Sequence, residues 1–215
     1  MNNIKKDNTE EKILNAAQTV FTRKGMDGAR MQEIADEAGI NKALLHYYFR
    51  SKQKLFESIF SVVFSKAFPN IQQFLTSDIP VEEKMGRFIE KYIDLLLKNP
   101  YLPSFILKEI NRDSEFLAKV IKKQGANPGD IFKVFEKEMD AGTIKRMDPR
   151  ELMINVISLS VSPFAAKPLM QIMFFENDKK AYREFLKQRK VTVKRFVLDS
   201  ILIREAGSRK SEDGR

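Results

Sequence analysis

The chain has 215 residues, 43% of them hydrophobic and 31% charged, enough apolar side chain for a folded core without covalent staples. It holds no cysteine and a single histidine, His46, which excludes a disulfide framework, a thiol nucleophile and a multi-histidine or cysteine metal site. The net charge of +9 admits nucleic acid or an acidic surface as a partner, but residues 1–60 carry ten Lys/Arg against eight Asp/Glu, so any contact made there rests on a few placed cations.

The periodicity is helical nearly throughout and predicts an all-α fold. Met1 to Glu11 is polar, with no apolar signal core, and no run of 18 apolar residues occurs; a soluble cytoplasmic protein without a membrane segment is expected. Ile13, Leu14, Ala17, Val20 and Phe21 mark a first helix, capped at Asn8 or Thr9 and ended by Gly25. A short second helix carries Met31, Ile34, Ala35 and Ala38 and stops at Gly39. A third starts after Asn41, a good N-cap, and runs to about Phe49. Ser51 caps a long fourth helix with Leu55, Phe56, Ile59, Phe60, Val63 and Phe64 on its apolar side.

Beyond Pro80 the register resets. Met85, Phe88, Ile89, Tyr92, Ile93 and Leu96 give one amphipathic helix; Phe116, Leu117, Val120 and Ile121 give another. Residues 125–129 form a loop, followed by a helix through Phe132, Phe135 and Met139 that ends near Gly142. Asp148-Pro149-Arg150-Glu151 is a helix start. The helix it opens carries no charge from Leu152 to Ala166, so it is either a central core helix or half core and half subunit interface. A last helix, Asp178 to Arg204, mixes a Tyr182, Phe185, Leu186, Val193, Phe196, Val197, Ile201 stripe with many Lys and Arg, which supports the interface reading. The tail at 206–215 has no periodicity and is expected to be disordered.

The segment that carries function is Met31 to Lys54. Two short helices meet at Gly39-Ile40-Asn41; small Ala35 and Ala38 allow close approach, and Ile34, Ile40, Leu45, Tyr48 and Phe49 can close a small core. This is helix-turn-helix geometry, whose second helix enters the major groove. Its outward positions are Lys42, Ala43, Leu44, His46 and Tyr47, followed by Ser51-Lys52, an amide and an ammonium suited to phosphate. Without that common spacing, Lys42, Lys52 and His46 would read as surface side chains and Phe49 as core; Tyr48 can be a core ring with its hydroxyl reaching out.

The run from Ala29 to Leu55, with its Ile34-Ala35 pair, Gly39-Ile40-Asn41 turn and Tyr48-Phe49-Arg50-Ser51-Lys52 ending, resembles the TetR family of regulators, as do Ile13-Leu14-Asn15-Ala16-Ala17, Phe21 and Gly25. The likeness covers about the first quarter of the chain. It implies a three-helix, homeodomain-like DNA-binding domain at residues 1–51, then a helical effector-binding and dimerisation domain at 52–205. It also implies a homodimer on a near-palindromic operator. By position, Arg30, Lys42, Ala43, Leu44, His46, Tyr47, Tyr48 and Lys52 would touch DNA, with Leu44 limited to apolar contact such as a thymine methyl. Two departures stand out: Ala29 occupies a place where Thr is common, so the second helix needs another cap, and Ala43 one where Gly is common.

The resemblance further implies an effector pocket. Met85, Phe88, Tyr92, Phe105, Glu109, Phe132, Phe135, Asn155 and Phe174 are candidates, and ordinary core packing is the alternative for each. Such a lining suits a small apolar or aromatic molecule. Leu152, Val156, Leu159, Phe185, Val193, Phe196 and Val197 are candidates for the dimer interface. The expected function is a ligand-responsive regulator, most simply a repressor released by its ligand, with no cofactor. A ligand-dependent activator and a helical partner-binding protein are the alternatives. No nucleophile elbow, phosphate loop or dinucleotide turn points to an enzyme.

Overall fold

The computed structural model describes residues 2–75, 77–123, 125 and 127–203, with side chains described at all but 2–7, 26, 66–75 and 109. The tail at 206–215 and the Glu109 side chain therefore lie outside the described residues. The fold is all-α: α1 (Asn2–Gly28), α2 (Met31–Glu37), α3 (Lys42–Tyr48), α4 (Lys52–Leu75), α5 (Val81–Lys98), α6 (Leu102–Lys123), α7 (Pro128–Asp140), α8 (Pro149–Ala165), α9 (Lys167–Phe175) and α10 (Lys179–Ile201).

Four boundaries differ from the sequence reading, each for a local reason. α1 begins at Asn2 rather than at Asn8 or Thr9, because neither Gly nor Pro occurs before Gly25 to stop it. Gly25 does break the helical geometry (φ 70°, ψ 173°), a backbone state open to glycine. α6 is interrupted at Asp113 (φ −159°), whose carboxylate accepts from the Phe116 N–H at 2.9 Å and so caps the segment after the break. α9 is a further helix beyond those expected; Pro168 stands at its second position, where a missing N–H costs nothing. α10 ends at Ile201 because Leu202 turns extended and pairs with Ile144, the Lys145 N–H donating to Ile201 O at 2.8 Å and the Ile203 N–H to Thr143 O at 3.2 Å.

The chain forms two compact units, residues 1–71, 94–126 and 164–167 in one and residues 72–93, 127–163 and 168–215 in the other. The first is built on Ile13, Ala17, Val20 and Phe21 of α1, Ile34 and Ala35 of α2, Leu45 of α3 and Leu55, Phe56, Ile59 and Phe60 of α4, all buried. Tyr101, Leu102 and Phe105 at the start of α6 complete it. Phe56 is its hub: it stacks on Phe105 (ring centroids 3.4 Å apart), meets Phe21 at 5.5 Å and stands edge-on to Tyr101 at 5.8 Å. This unit therefore takes in more chain than residues 1–51, since the aromatic side chains that seal the small helices come from α4 and α6.

In the second unit, Met85, Phe88, Ile89 and Ile93 of α5, Phe135 and Met139 of α7, Leu152 and Val156 of α8, and Tyr182, Leu186, Val193, Val197 and Ile201 of α10 are buried. One mostly buried ion pair, Lys84 to Glu138 at 3.4 Å, joins α5 to α7. α8 and α10 are joined by a repair of the backbone. Pro163 lies inside α8 and has no N–H for the carbonyl of Leu159, four residues earlier. Arg189 of α10 supplies the donor, its Nη2 lying 2.5 Å from that carbonyl. The Pro163 carbonyl, near the helix end, accepts instead from the Tyr182 hydroxyl at 2.5 Å.

Candidate nucleic-acid interface

Each residue of the α2–α3 turn has a single job. Ala38 ends α2, and Gly39 takes the left-handed conformation (φ 65°). The Gly39 N–H then donates to Asp36 O at 3.1 Å and the Ile40 N–H to Ala35 O at 3.0 Å, which satisfies two carbonyls of the helix end. Ile40 packs against the core. Asn41 starts α3, its side-chain oxygen accepting the Leu44 N–H at 2.7 Å. Buried Leu45 and Phe49 fix the inner face of α3, and Phe49 turns out of the helix, so Ser51 can open α4 by accepting the Lys54 N–H at 3.1 Å.

With that face fixed, Lys42, Ala43, Leu44, His46 and Tyr47 are exposed, Tyr47 at 71%. Tyr48 is half-buried: it packs against the core and meets Tyr47 edge-on, centroids 5.5 Å apart. Arg30 is exposed at the N-cap of α2. The cap that Ala29 cannot provide comes from Glu33, whose carboxylate accepts the Arg30 N–H at 3.4 Å. Lys24 holds Glu33 there at 2.6 Å and keeps its carboxyl below the usual range. Lys52 is placed differently from the exposed set: half-buried, its ammonium donates to the carbonyls of Asp27 (3.3 Å) and Ala29 (3.0 Å).

The pocket candidates are dispersed. Phe105 belongs to the first unit's core, stacked on Phe56. In the second unit Met85, Phe88 and Phe135 are buried, Phe132 and Tyr92 are half-buried, and Phe88 stacks on Tyr92 at 5.8 Å. Burial pushes the Tyr92 phenol up to about 12, so it stays protonated at neutral pH. Asn155 and Phe174 are exposed.

Among the interface candidates, Leu152, Val156, Val193 and Val197 are buried inside the protomer, Leu159 and Phe185 are half-buried, and Phe196 is 64% exposed. Besides Phe174 and Phe196, the exposed apolar surface of this unit includes Ile154 and Ile157 on α8, Leu169, Ile172 and Met173 on α9, and Val191 on α10. A helix with no charged face gives no sign in its sequence of which side turns outward. Leu159, Arg189, Thr192, Val193, Arg195 and Phe196 line part of an open cleft of about 640 Å³ beside it.

Residues 13–59 match the profile of bacterial regulatory proteins of the tetR family. The chain is 29% identical over 140 residues to the HTH-type transcriptional repressor NicS of Pseudomonas putida, an alignment covering 65% of each chain and so less than two thirds of that repressor's length. It is 42% identical over 48 residues to the negative regulator IcaR of the biofilm operon icaADBC in Staphylococcus aureus, 22% of this chain and 26% of that one. Among solved structures, the transcriptional regulator FadR of Bacillus subtilis in complex with stearoyl-CoA shares the fold at a TM-score of 0.62 and 17% identity, over 88% of this chain and 98% of that one. The turn, caps and buried anchors of α2 and α3 thus lie within residues 13–59, the stretch that is similar to bacterial regulatory proteins of the tetR family.

Proposed function

We propose that this protein is a homodimeric transcription regulator that reads a near-palindromic operator with α3 and acts as a repressor released by a small apolar or aromatic ligand. The observation that carries the reading is the division of α3. Leu45 is fully buried, while Lys42, Ala43, Leu44, His46 and Tyr47 stand exposed on a helix whose start is pinned by Asn41 and whose exit is pinned by Phe49. In this reading Lys42 meets a base or phosphate, Ala43 and Leu44 face base edges, and Arg30, His46, Tyr47 and the Tyr48 hydroxyl meet phosphates. The repressor assignment is supported by the likeness to NicS, and the ligand response by the shared fold with a regulator solved with stearoyl-CoA.

The second copy covers the exposed apolar face of α8 and α10, with Ile154, Ile157 and Phe196 in the contact and half-buried Leu159 and Phe185 at its edge. The ligand lies among Met85, Phe88, Tyr92, Phe132 and Phe135, with the protonated Tyr92 hydroxyl as its polar handle. It acts by favouring the dimer state whose reading heads do not match the operator spacing. The site of action is the cytoplasm; among the described residues no single helix is long and apolar enough to cross a membrane. The test is selection of bound sequences from random duplex DNA, comparing the wild type with Lys42→Ala/Tyr47→Ala. An inverted repeat recovered by the wild type and lost in the variant supports the reading. No enrichment by a folded dimer, with and without candidate apolar ligands, would overturn it.

A further inference from the structure

Lys52 sits where a phosphate contact is expected, yet its ammonium is turned inward. It donates to the Asp27 carbonyl at 3.3 Å and to the Ala29 carbonyl at 3.0 Å, across 25 and 23 residues of sequence. Both carbonyls belong to the connection between the break at Gly25 and the start of α2 at Met31, a stretch too short for a helical ladder to serve them. Ala29 is 2% exposed, so its carbonyl has little access to water and needs a protein donor. An ammonium has three N–H donors and no acceptor, and two of the three are committed here. The same connection is held from a second side, Lys108 of α6 pairing with the Asp27 carboxylate at 2.5 Å. Directly after it comes Arg30, the exposed N-cap of α2.

We infer that Lys52 is a positioning residue, a strut that fixes the α1–α2 connection and with it Arg30 and the N-terminus of α2, instead of a residue that binds DNA phosphate. This rests on the DNA-binding reading given above. Tethered at residues 27 and 29, the ammonium travels with the connection, and Arg30 and Lys42 are left as the charged contacts of the reading face.

Counterion release separates the two roles. Each phosphate neutralised by the protein adds about 0.9 to the slope of log affinity against log salt. The experiment is a salt series with the full-length protein on the operator duplex recovered by the selection, comparing wild type with Lys52→Met. A strut predicts affinity about tenfold lower at every salt concentration, with the two lines parallel, and a lower Tm. A line shallower by about 0.9 overturns the inference, and so does unchanged affinity, which would make Lys52 structural without bearing on DNA. If Lys52→Met does not fold, Lys52→Gln, which drops the charge but keeps an N–H donor, is read by the same slope criterion. A folded wild type that selects no duplex overturns both the strut and the DNA-binding reading, an outcome distinct from a change of slope.

Discussion

The two units bury apolar surface in different ways. The first gathers the rings of Phe21, Phe56, Tyr101 and Phe105 in one core and leaves Leu44 and Tyr47 on α3 and Leu107 and Ile110 on α6 exposed. The second closes only in part. Leu152, Val156, Val193 and Val197 seal its core, while Ile154, Ile157, Leu169, Ile172, Met173, Val191 and Phe196 remain outside. Exposed apolar side chains of this kind mark protein contact surfaces when they are contiguous. The first leaves few large apolar side chains outside its core; the second leaves many, spread over α8, α9 and α10. The difference predicts opposite responses to mutation, with core loss felt as unfolding in the first unit and surface change felt as altered association in the second.

The largest effect belongs to the hub of the first core. Phe56 is fully buried between Phe21, Tyr101 and Phe105, so Phe56→Ala removes a large side chain and leaves a cavity. A loss of about 3–5 kcal/mol is expected in denaturant unfolding. A loss under 1 kcal/mol would mean that the core collapses around the gap and that the unit is less sealed than described.

Next comes the repair in the second unit. Arg189→Met leaves the Leu159 carbonyl without a donor, at a cost of about 1–3 kcal/mol. Pro163→Ala restores the N–H that the proline lacks, so the same Arg189→Met change should cost much less in that background. A double-mutant cycle reads this directly as a coupling energy. Additive costs would show that Arg189 matters for another reason, for instance its stacking on Phe185, whose ring centroid is 5.8 Å from the guanidinium.

Surface changes in the second unit should leave the protomer nearly untouched, within about 0.5 kcal/mol. Phe196→Glu is expected to do so while shifting the sedimentation equilibrium from dimer to monomer, because it replaces an exposed apolar side chain of the proposed contact by a charge. A dimer as tight as the wild type places the interface elsewhere.

The contrast between the units also explains what could be read in advance. The helix-turn-helix was legible because its signals are local: Asn41 caps, Gly39 turns, Leu45 and Phe49 anchor, and each acts within a few residues of its own position. The exposed face of α3 followed from the buried one by helical spacing. The second unit was legible as helices and not as faces. From Leu152 to Ala166 no charge marks the outside, so the register that buries Leu152 and Val156 could not be told from the one that buries Ile154 and Ile157. α9 is hard to read from sequence because Leu169, Ile172, Met173 and Phe174 are apolar yet exposed, so its apolar positions do not mark a buried side. The role of Lys52 was equally hidden, since no sequence pattern says which carbonyls an ammonium will meet 25 residues away.

The smallest expected effect tests whether the first unit is held by more than its core. Lys108 pairs with the Asp27 carboxylate at 2.5 Å, but both side chains are open to water, at 52% and 82% exposure. Exposed pairs of this kind contribute about 0.2–1 kcal/mol, less as salt rises. The hydrogen bond and the charge of Lys108, with a smaller contribution from Lys52, hold the Asp27 carboxyl below its ordinary value. A carboxyl whose folded value is depressed stabilises the fold above its unfolded value, near 3.9, and loses that contribution as pH falls through the folded value. The stability difference between wild type and Lys108→Met should therefore be small and level from neutral pH to about 5, then shrink toward zero below about 4. A difference that persists unchanged at acid pH would assign Lys108 a packing role. A difference that grows with salt would contradict an ion pair altogether. The expected pattern leaves the aromatic core in charge of stability and gives Lys108 and Lys52 the lesser task of setting where α2 begins.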